Sequence, residues 1–584
     1  MMRSVYKAIG ISCLIVAATS ACGWSGDEKV DKDIKRPKPG ETLEVLVHYK
    51  VQPREEHHQR VLDHNGKVRQ RLNYVPIGHY DVTPEALDDL RNNPDVVSIS
   101  PNHPVRSFSN LQWYSTDFAP LNDFYNLHNK WKAGGIGIAI IDSGVNAGNK
   151  NFNAWHSKTS RVVYSETFAG VGTNDQYGHG SHVAGIAAGD DNVTSLIANA
   201  TAGYYGIAMD ANIINLKVLD GNGVGSDASV IAGINRAIAL KSTYNIRVIN
   251  LSLGRPVTGS YKTDPLCQAV EAAWRAGIVV VVAAGNEGRN NTQGTQGYGT
   301  IAAPGNDPYV ITVGATNDRG QWSPSSNVVT TYSSKGPTAI DHIVKPDLVA
   351  PGNRVISMQS AGSSLLAQNP ANQIPTNAYD PAGTSAYSPY FFTLSGTSMA
   401  APFVSGAAAM LIDQNSSLTP DQVKAKLMRN AWRGFPANMS ITVTDPTTGV
   451  TTTYTENHDM FTIGAGLVDI WAAYNDNTVP LGSAASPSVS FNQSTGKVDL
   501  ALNSVGAASA VWGTSAIWGT SAVWGTNVSG INVVWGSSAA WGTSAAWGTS
   551  TNRGFSAVWG TSSVWATSTT TAAESISVAI NGEP

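Results

Sequence analysis

Apolar runs that stop at a polar residue and a glycine recur through the middle of the chain. Three of them are Gly137–Val145 (GIAIIDSGV), Arg247–Gly254 (RVINLSLG) and Ile278–Gly288 (IVVVVAAGNEG). Such runs are typical of strands buried on both faces of a parallel sheet. Small-residue helical segments accompany them, as in Asp175–Gly189 (DQYGHGSHVAGIAAG) and Leu394–Gly406 (LSGTSMAAPFVSG). The alternation predicts an open α/β sheet whose polar strand ends meet at its carboxyl edge.

A different pattern precedes this region. Residues 41–106 predict a strand at TLEVLVHY, an amphipathic helix around His57–His64, and strands around Val68–Val82. A helix is predicted over Pro84–Asn92, with Thr83 as N-cap and Pro84 in the first helical position, and a strand follows at VVSISP. We expect a small α+β module here.

Four polar residues stand at the ends of the predicted elements. Asp142 ends an apolar run, His179 lies between two glycines at a helix start, Asn286 ends another run, and Ser398 follows a glycine turn before a helix. A serine is activated by a neighbouring base, and an asparagine amide can donate to an oxyanion. Taken singly, each has a structural alternative, namely a packed serine, a capping aspartate or a plain turn. The spacing of His179 and His182 would also suit zinc, but no third ligand motif accompanies them.

Together these residues and their blocks resemble the subtilases, the subtilisin-like serine peptidases, over residues 111–475. The resemblance implies a subtilisin-like α/β fold, with a mostly parallel sheet and helices on both faces, preceded by an α+β prodomain. It makes Ser398 the nucleophile, His179 the general base and acid, Asp142 the residue that orients the imidazole, and Asn286 an oxyanion donor. Asp175 is expected to cap the helix of His179, and His182 is expected to be structural.

The resemblance also places the substrate. Ser252, Leu253 and Gly254 are expected to form one wall of the pocket for the residue before the scissile bond, and Ala283, Ala284 and Gly285 the other. Gly223–Ser226 would supply a second edge, so that an extended peptide lies between two strands. Small uncharged walls favour an apolar or aromatic side chain, and the base of the pocket is expected around Tyr298, although one sequence does not align it.

The chain begins with the features of a bacterial export signal over residues 1–22, followed by a linker over 23–40. Thr19–Cys22 resembles a lipoprotein box, so lipidation at Cys22 and ordinary cleavage after Ala21 both stay open. By resemblance, residues 41–106 are an inhibitory propeptide, removed by self-cleavage between Val105 and Trp113. We expect an exported protein, secreted or associated with the cell envelope.

The composition limits the classes of partner and cofactor that we expect. The 38 basic and 42 acidic residues give a net charge of −4, so the chain lacks the excess of positive charge that is typical of nucleic-acid-binding proteins. Cys13 and Cys22 fall in the signal region, so the mature chain keeps only Cys267 and forms no internal disulfide. No cofactor or catalytic metal is expected. Structural calcium remains open without an assigned site, and we expect a monomer.

Two regions depart from the simplest family pattern. The polar stretch between Ile356 and Thr393 predicts a long loop beside Ser398, which either forms a lid or is a surface insertion without consequence. Residues 476–584 contain repeats like SAVWGT, with tryptophans mostly six residues apart. We favour stacked short strands for this tail; an extended segment that binds carbohydrate or envelope and a segment without a fixed fold are the alternatives.

The sequence therefore predicts a serine endopeptidase that hydrolyses proteins through an acyl-enzyme and is made as a self-cleaving zymogen. Its partners would be protein or peptide substrates and its own propeptide. The alternative is an envelope- or carbohydrate-binding surface protein with an inactive peptidase domain.

Overall fold

A computed structural model describes residues 29–31, 34–107, 133–198, 200, 202–290, 295–321, 323–444, 450–492, 497–501 and 582–583. The export signal and the Trp repeat therefore lie outside the described residues. Among the described residues, no helix has the length and hydropathy needed to cross a bilayer.

The N-terminal module is an antiparallel sheet with two helices. Its strands run in the order β2-β3-β1-β4. The elements are β1 (Leu43–Tyr49), α1 (Glu55–Asp63), β2 (Lys67–Arg71), β3 (Ile77–Val82), α2 (Pro84–Asn92) and β4 (Val96–Pro101). Helix α2 has the predicted bounds, and Thr83 Oγ1 accepts from Ala86 N at 3.1 Å, so the predicted N-cap is confirmed.

The large sheet has the strand order β14-β13-β12-β10-β6-β8-β7, and β15 pairs with β13. All its pairings are parallel except that of β13 with β14. The strands are β6 (Gly137–Asp142), β7 (Val162–Thr167), β8 (Asn212–Lys217), β10 (Ile246–Leu251), β12 (Val279–Ala283), β13 (Ile311–Asn317), β14 (Val328–Val329) and β15 (Leu348–Pro351). The mostly parallel α/β sheet is thus confirmed.

Helices cover both faces of this sheet. An ideal Cβ at Gly233 would lie 3.1 Å from Ile141 Cγ2, and one at Gly180 would lie 3.1 Å from Asp142 Cβ. Neighbouring residues of a strand point to opposite faces, so the helices that carry Gly233 and Gly180 lie on opposite sides of β6. The helices of the large domain are α3 (His179–Ala188), α4 (Asp227–Tyr244), α5 (Pro265–Arg275), α6 (Ser364–Gln368), α7 (Thr397–Gln414), α8 (Pro420–Asn430) and α9 (Ile470–Asn475).

A short strand from the N-terminal side joins the large domain. Strand β5 (Pro104–Ser107) lies between β9 (Val224–Ser226) and β11 (Leu253–Gly254) and pairs with both in antiparallel register. The predicted strand Arg247–Gly254 is therefore two strands, since β10 ends at Leu251 in the large sheet and β11 begins beyond Ser252.

The polar stretch before Ser398 is folded, so the prediction of a long loop was wrong. Strands β16 (Val355–Met358), β17 (Gln373–Pro375) and β18 (Tyr387–Leu394) form a sheet in the order β16-β18-β17. The two remaining described sheets are the hairpins of β19 (Asn438–Thr444) with β20 (Thr451–Asn457), and of β21 (Ser488–Asn492) with β22 (Lys497–Ala501).

Candidate active site

Asp142 and His179 meet at the carboxyl end of β6. Asp142 is the last residue of that strand and His179 the first of α3, and both side chains are fully buried. His179 Nδ1 and Asp142 Oδ1 are 2.7 Å apart, and Ser143 N donates to the same oxygen at 2.7 Å. His179 Nε2 is buried and has no hydrogen-bond partner within the described part of the chain. The pair thus fixes the ring through one nitrogen and leaves the other for a reacting group.

The loop before His179 is held by Asp175. Its Oδ1 accepts from Gly178 N at 2.7 Å and from Ser143 Oγ at 2.8 Å, and its Oδ2 accepts from Ser181 N at 2.8 Å. Burial raises the pKa of Asp175, although the three groups that donate to it, two of them backbone amides, favour the carboxylate. Asp175 therefore caps the first turn of α3, as predicted, and ties it to the residue after Asp142.

His182 lies one turn further along α3. It is fully buried, and its Nε2 is 3.0 Å from the carbonyl oxygens of both Val355 and Phe392. Burial lowers the pKa of His182 to about 3, so the ring is neutral at physiological pH. The residue bonds α3 to the sheet of β16 and β18, in agreement with the predicted structural role.

Ser398 is the second residue of α7, directly after a glycine turn. Gly396 has φ +141°, a conformation that a residue with a Cβ adopts with difficulty. Ser398 Oγ donates to the carbonyl of Ser252 at 3.1 Å, and Ser252 Oγ donates to the carbonyl of Ser398 at 2.8 Å. Ser252 follows β10, which pairs with β6, so Ser398 lies at the same sheet edge as Asp142 and His179.

Asn286 is oriented by the residue before Ser398. Its Oδ1 accepts from Thr397 N at 3.0 Å and from Thr397 Oγ1 at 3.1 Å, and Gly285 N donates to Thr397 Oγ1 at 3.1 Å. These bonds engage the amide oxygen, so the Nδ2 hydrogens point away from Thr397. Thr397 was not among the sequence candidates, although it stands in the same Gly-Thr-Ser turn.

The predicted walls converge near Ser398. Ser252, Leu253 and Gly254 follow β10, Ala283 ends β12, and Ala284 and Gly285 come next in the chain, with all six buried. Strand β5 occupies the edge, with Arg106 opposite Gly254 and Ser107 opposite Leu253. Tyr298, predicted near the pocket base, is buried and its hydroxyl donates to Asp459 Oδ2 at 2.5 Å.

A buried ion-pair network links the two edges that hold β5, and sequence reasoning missed it. Arg255 directly follows β11, and its Nε is 2.9 Å from an oxygen of Asp227, the residue after β9. Its Nη2 is 2.8 Å from Asp264 Oδ2. The three side chains are at most 3% exposed. The only sequence signal was an arginine next to small and apolar residues.

The folded insertion packs against the loop before His179. Ser364 N donates to Gln176 O at 2.9 Å, Leu365 N donates to Tyr177 O at 3.0 Å, and Ser364 Oγ donates to Gly221 O at 2.7 Å. The segment therefore supports the site from the side of α3. Among the described residues, no group of three His, Cys, Asp or Glu side chains is placed to hold a metal ion.

Comparison with known proteins agrees with this geometry. The model of the subtilase family matches residues 133–466. Serine protease AprX of Bacillus subtilis is 31% identical over 64% of this chain and 78% of its own length. Subtilisin E of the same organism is 32% identical over 64% of this chain and 79% of its own.

A solved structure shares the fold. The crystal structure of fervidolysin from Fervidobacterium pennivorans, described as a keratinolytic enzyme related to subtilisin, covers 78% of this chain and 66% of its own, with 20% identity and a TM-score of 0.52. On the family match and the identity to AprX and subtilisin E, the chain belongs to the subtilase family and is a serine endopeptidase.

Proposed function

We propose that this endopeptidase is an exported zymogen that hydrolyses proteins through an acyl-enzyme on Ser398. The observation that carries the proposal is strand β5, which lies between β9 and β11 as an extended peptide substrate would. It approaches the edge next to Ser252, the residue that exchanges hydrogen bonds with Ser398.

In the proposed reaction His179 is the base. Its Nε2 takes the proton of Ser398 Oγ as that oxygen attacks the peptide carbonyl, and then returns the proton to the leaving amine. In the second half of the reaction, water attacks the acyl carbonyl while His179 takes its proton, and the proton then returns to Ser398 Oγ as the acyl bond breaks. Asp142 keeps the proton of His179 on Nδ1 and stabilises the imidazolium, a role that their 2.7 Å contact supports.

The negative charge of the tetrahedral intermediate would be held by two donors. Asn286 Nδ2 is one, because Thr397 engages the amide oxygen. The backbone N–H of Ser398, in the first turn of α7, is the other. Donors fixed before the reaction stabilise the developing oxyanion without reorganisation.

We assign pocket walls to Ser252, Leu253 and Gly254 on one side and to Ala283, Ala284 and Gly285 on the other. These residues are small or aliphatic and uncharged, so the pocket favours an apolar or aromatic side chain. Calcium remains open as a structural ion, without a proposed site, and we propose a monomer.

We propose that residues 41–106 act as an inhibitor and that the cut follows Phe108. Ser107 pairs with Leu253, and the next residue towards Ser398 on that edge is Ser252. If the antiparallel register continued by one residue, residue 108 would stand opposite Ser252. Phe108 lies outside the described residues, but an aromatic residue suits the proposed pocket and its bond falls within the predicted window, Val105–Trp113.

Residues 1–22 would direct export, either with a lipid on Cys22 or with cleavage after Ala21. Export would bring the enzyme outside the cytoplasm, secreted or at the cell envelope, where proteins and peptides would be its substrates.

Comparing the full-length wild type with Ser398→Ala tests the proposal. The wild type should yield a mature form that begins at Ser109, hydrolyses casein and reacts with a fluorophosphonate. Ser398→Ala should stay uncut and unlabelled. Absence of serine-dependent labelling after removal of residues 1–108 would refute the catalytic role, whereas labelling with a different N-terminus would refute only the proposed bond.

A further inference from the structure

Gly582 and Glu583 lie against the large domain, beyond the tail region 502–581. Glu583 is fully buried. Its Oε1 accepts from Arg289 Nη2 at 2.8 Å, from Thr331 N at 2.8 Å and from Thr331 Oγ1. Its backbone N donates to Asn353 Oδ1 at 2.9 Å, and Asn353 Nδ2 donates to its carbonyl at 3.0 Å. The side chain and the backbone of Glu583 are thus both bound.

The groups that contact Glu583 are themselves held in place. Arg289 Nε donates to Thr331 Oγ1 at 2.6 Å, and the guanidinium lies 4.8 Å from the ring centroid of Tyr454. The Arg289 side chain is 9% exposed and forms an ion pair with Glu583. A guanidinium removed from water requires a compensating acceptor. Arg289, Thr331 and Asn353 therefore form a carboxylate-binding pocket, which we call the Arg289 pocket.

Gly582, the residue before Glu583, lies where a side chain would not fit. Gly582 has φ +66°, and an ideal Cβ there would lie 3.0 Å from Arg354 Cγ and 3.1 Å from both Asn353 Oδ1 and Ser395 Oγ. A larger residue would need both an unfavourable backbone conformation and displacement of these neighbours. The pocket thus suits a Gly-Glu sequence.

The other end of the tail region is also fixed. Val489 N donates to His342 O at 2.8 Å, and Ser486 Oγ donates to Asp347 Oδ1 at 2.5 Å. Val489 lies in β21, which pairs with β22 in antiparallel register. The chain therefore leaves the large domain at β22 and returns to it at Gly582.

The Arg289 pocket adjoins both turns of the active site. Arg289 is three residues after Asn286. Next to Asn353, the carbonyl of Gly352 accepts from Gly396 N at 2.7 Å, and Arg354 N donates to Ser395 Oγ at 2.8 Å. An occupied pocket therefore connects the segment after Asn286 with the segment before Ser398.

We propose that the Arg289 pocket is a binding site for an acidic Gly-Glu peptide segment and that Gly582–Glu583 of the same chain fills it. The Trp-rich region 502–581 is then attached to the catalytic domain at both ends. This assignment does not depend on the peptidase mechanism, because no reacting atom takes part.

Hydrogen–deuterium exchange of the full chain, in a Ser398→Ala background that prevents self-digestion, tests the proposal. Glu583→Ala should speed exchange in peptides covering Thr331 by about tenfold, because the Thr331 N–H loses its charged acceptor. Glu574→Ala removes an equal charge from the same tail and should leave these peptides unchanged.

Arg289→Gln should reproduce the effect of Glu583→Ala. If Arg289→Gln fails to fold, as judged by circular dichroism, Glu583→Ala decides alone because it alters no residue of the catalytic domain. Unchanged exchange around Thr331 in Glu583→Ala, or an equal change in Glu574→Ala, would overturn the proposal.

Discussion

Replacement of Arg255 by methionine should destabilise the protein far more than a surface ion pair would suggest. The arginine contacts Asp227 and Asp264 at 2.8–3.1 Å, and the three side chains are at most 3% exposed. Removing it leaves two carboxylates buried without their counter-charge. Breaking such a pair from one side lowers the free energy of unfolding by about 3–5 kcal/mol.

The effect should depend on pH in a defined direction. Burial already raises the pKa of Asp227 while Arg255 favours its ionised form, so loss of Arg255 raises that pKa further. A carboxyl with a raised folded-state pKa stabilises the fold when protonated and loses this contribution as pH rises through that pKa. The free energy of unfolding of Arg255→Met should therefore differ least from that of the wild type in acid and most at neutral pH.

Urea unfolding in the Ser398→Ala background measures the difference in free energy of unfolding between Arg255→Met and the protein with Arg255 intact. Arg236→Met is the matched control, because Arg236 pairs with Glu166 with its side chain 42% exposed, and its loss should change the unfolding free energy by about 0–1 kcal/mol. Equal losses for the two variants at pH 7 would refute the reasoning. In the active enzyme, Arg255→Met should raise KM more than it lowers kcat, because the network joins the residues after β9 and β11.

Three further predictions concern the site, the pH dependence and the anchor. Asn286→Ala should lower kcat by about 10²- to 10³-fold, the size of effect seen for an oxyanion donor in subtilisin, with little change in KM; steady-state kinetics after active-site titration check this. Burial raises the pKa of Asp459 to about 6. The contribution of this carboxyl to the free energy of unfolding is therefore fully present below about pH 4, and roughly 3 kcal/mol of it is lost as pH rises through 6. Unfolding free energies of Asp459→Asn should accordingly vary less between pH 4 and pH 7. Cys22→Ser should release a lipid-anchored enzyme from the membrane fraction, and a variant that stayed there would exclude the anchor.

The residues placed correctly from sequence share a local signature. Asp142 ends an apolar run that becomes a buried strand, His179 begins a helix after Gly178, and Ser398 is the second residue of the helix that follows Gly396. Because parallel strands align their carboxyl ends, local patterns predicted that Asp142 and His179 lie at one sheet edge, where they are 2.7 Å apart. It was the resemblance to the subtilases that assigned Ser398 to the same site. The cap of Thr83 on α2 was predictable from a local pattern too, since donor and acceptor lie three residues apart.

Contacts between distant segments could not be predicted in this way. Arg289 and Glu583 are 294 positions apart, and nothing in either neighbourhood identifies the other. The fold of the insertion was missed because the buried apolar residues of its sheet lie mostly in β16 and at the end of β18. The stretch between them is mainly polar, and its large buried apolar residues are Leu365, Ile374 and Tyr379. Its polar composition therefore indicates a loop although its backbone is paired.

Strand β5 belongs to the same chain as the edges it occupies, and if the chain cuts itself as proposed, this connection sets the kinetics of activation. While the chain is intact, the strand is presented at an effective concentration of the order of millimolar, which a free substrate rarely matches. Cutting the chain turns the contact into a complex of two molecules, whose persistence then depends on dilution. Processing should therefore be first order, with a rate constant independent of enzyme concentration. Activity against added substrate should appear after a lag, and this lag should become shorter on dilution.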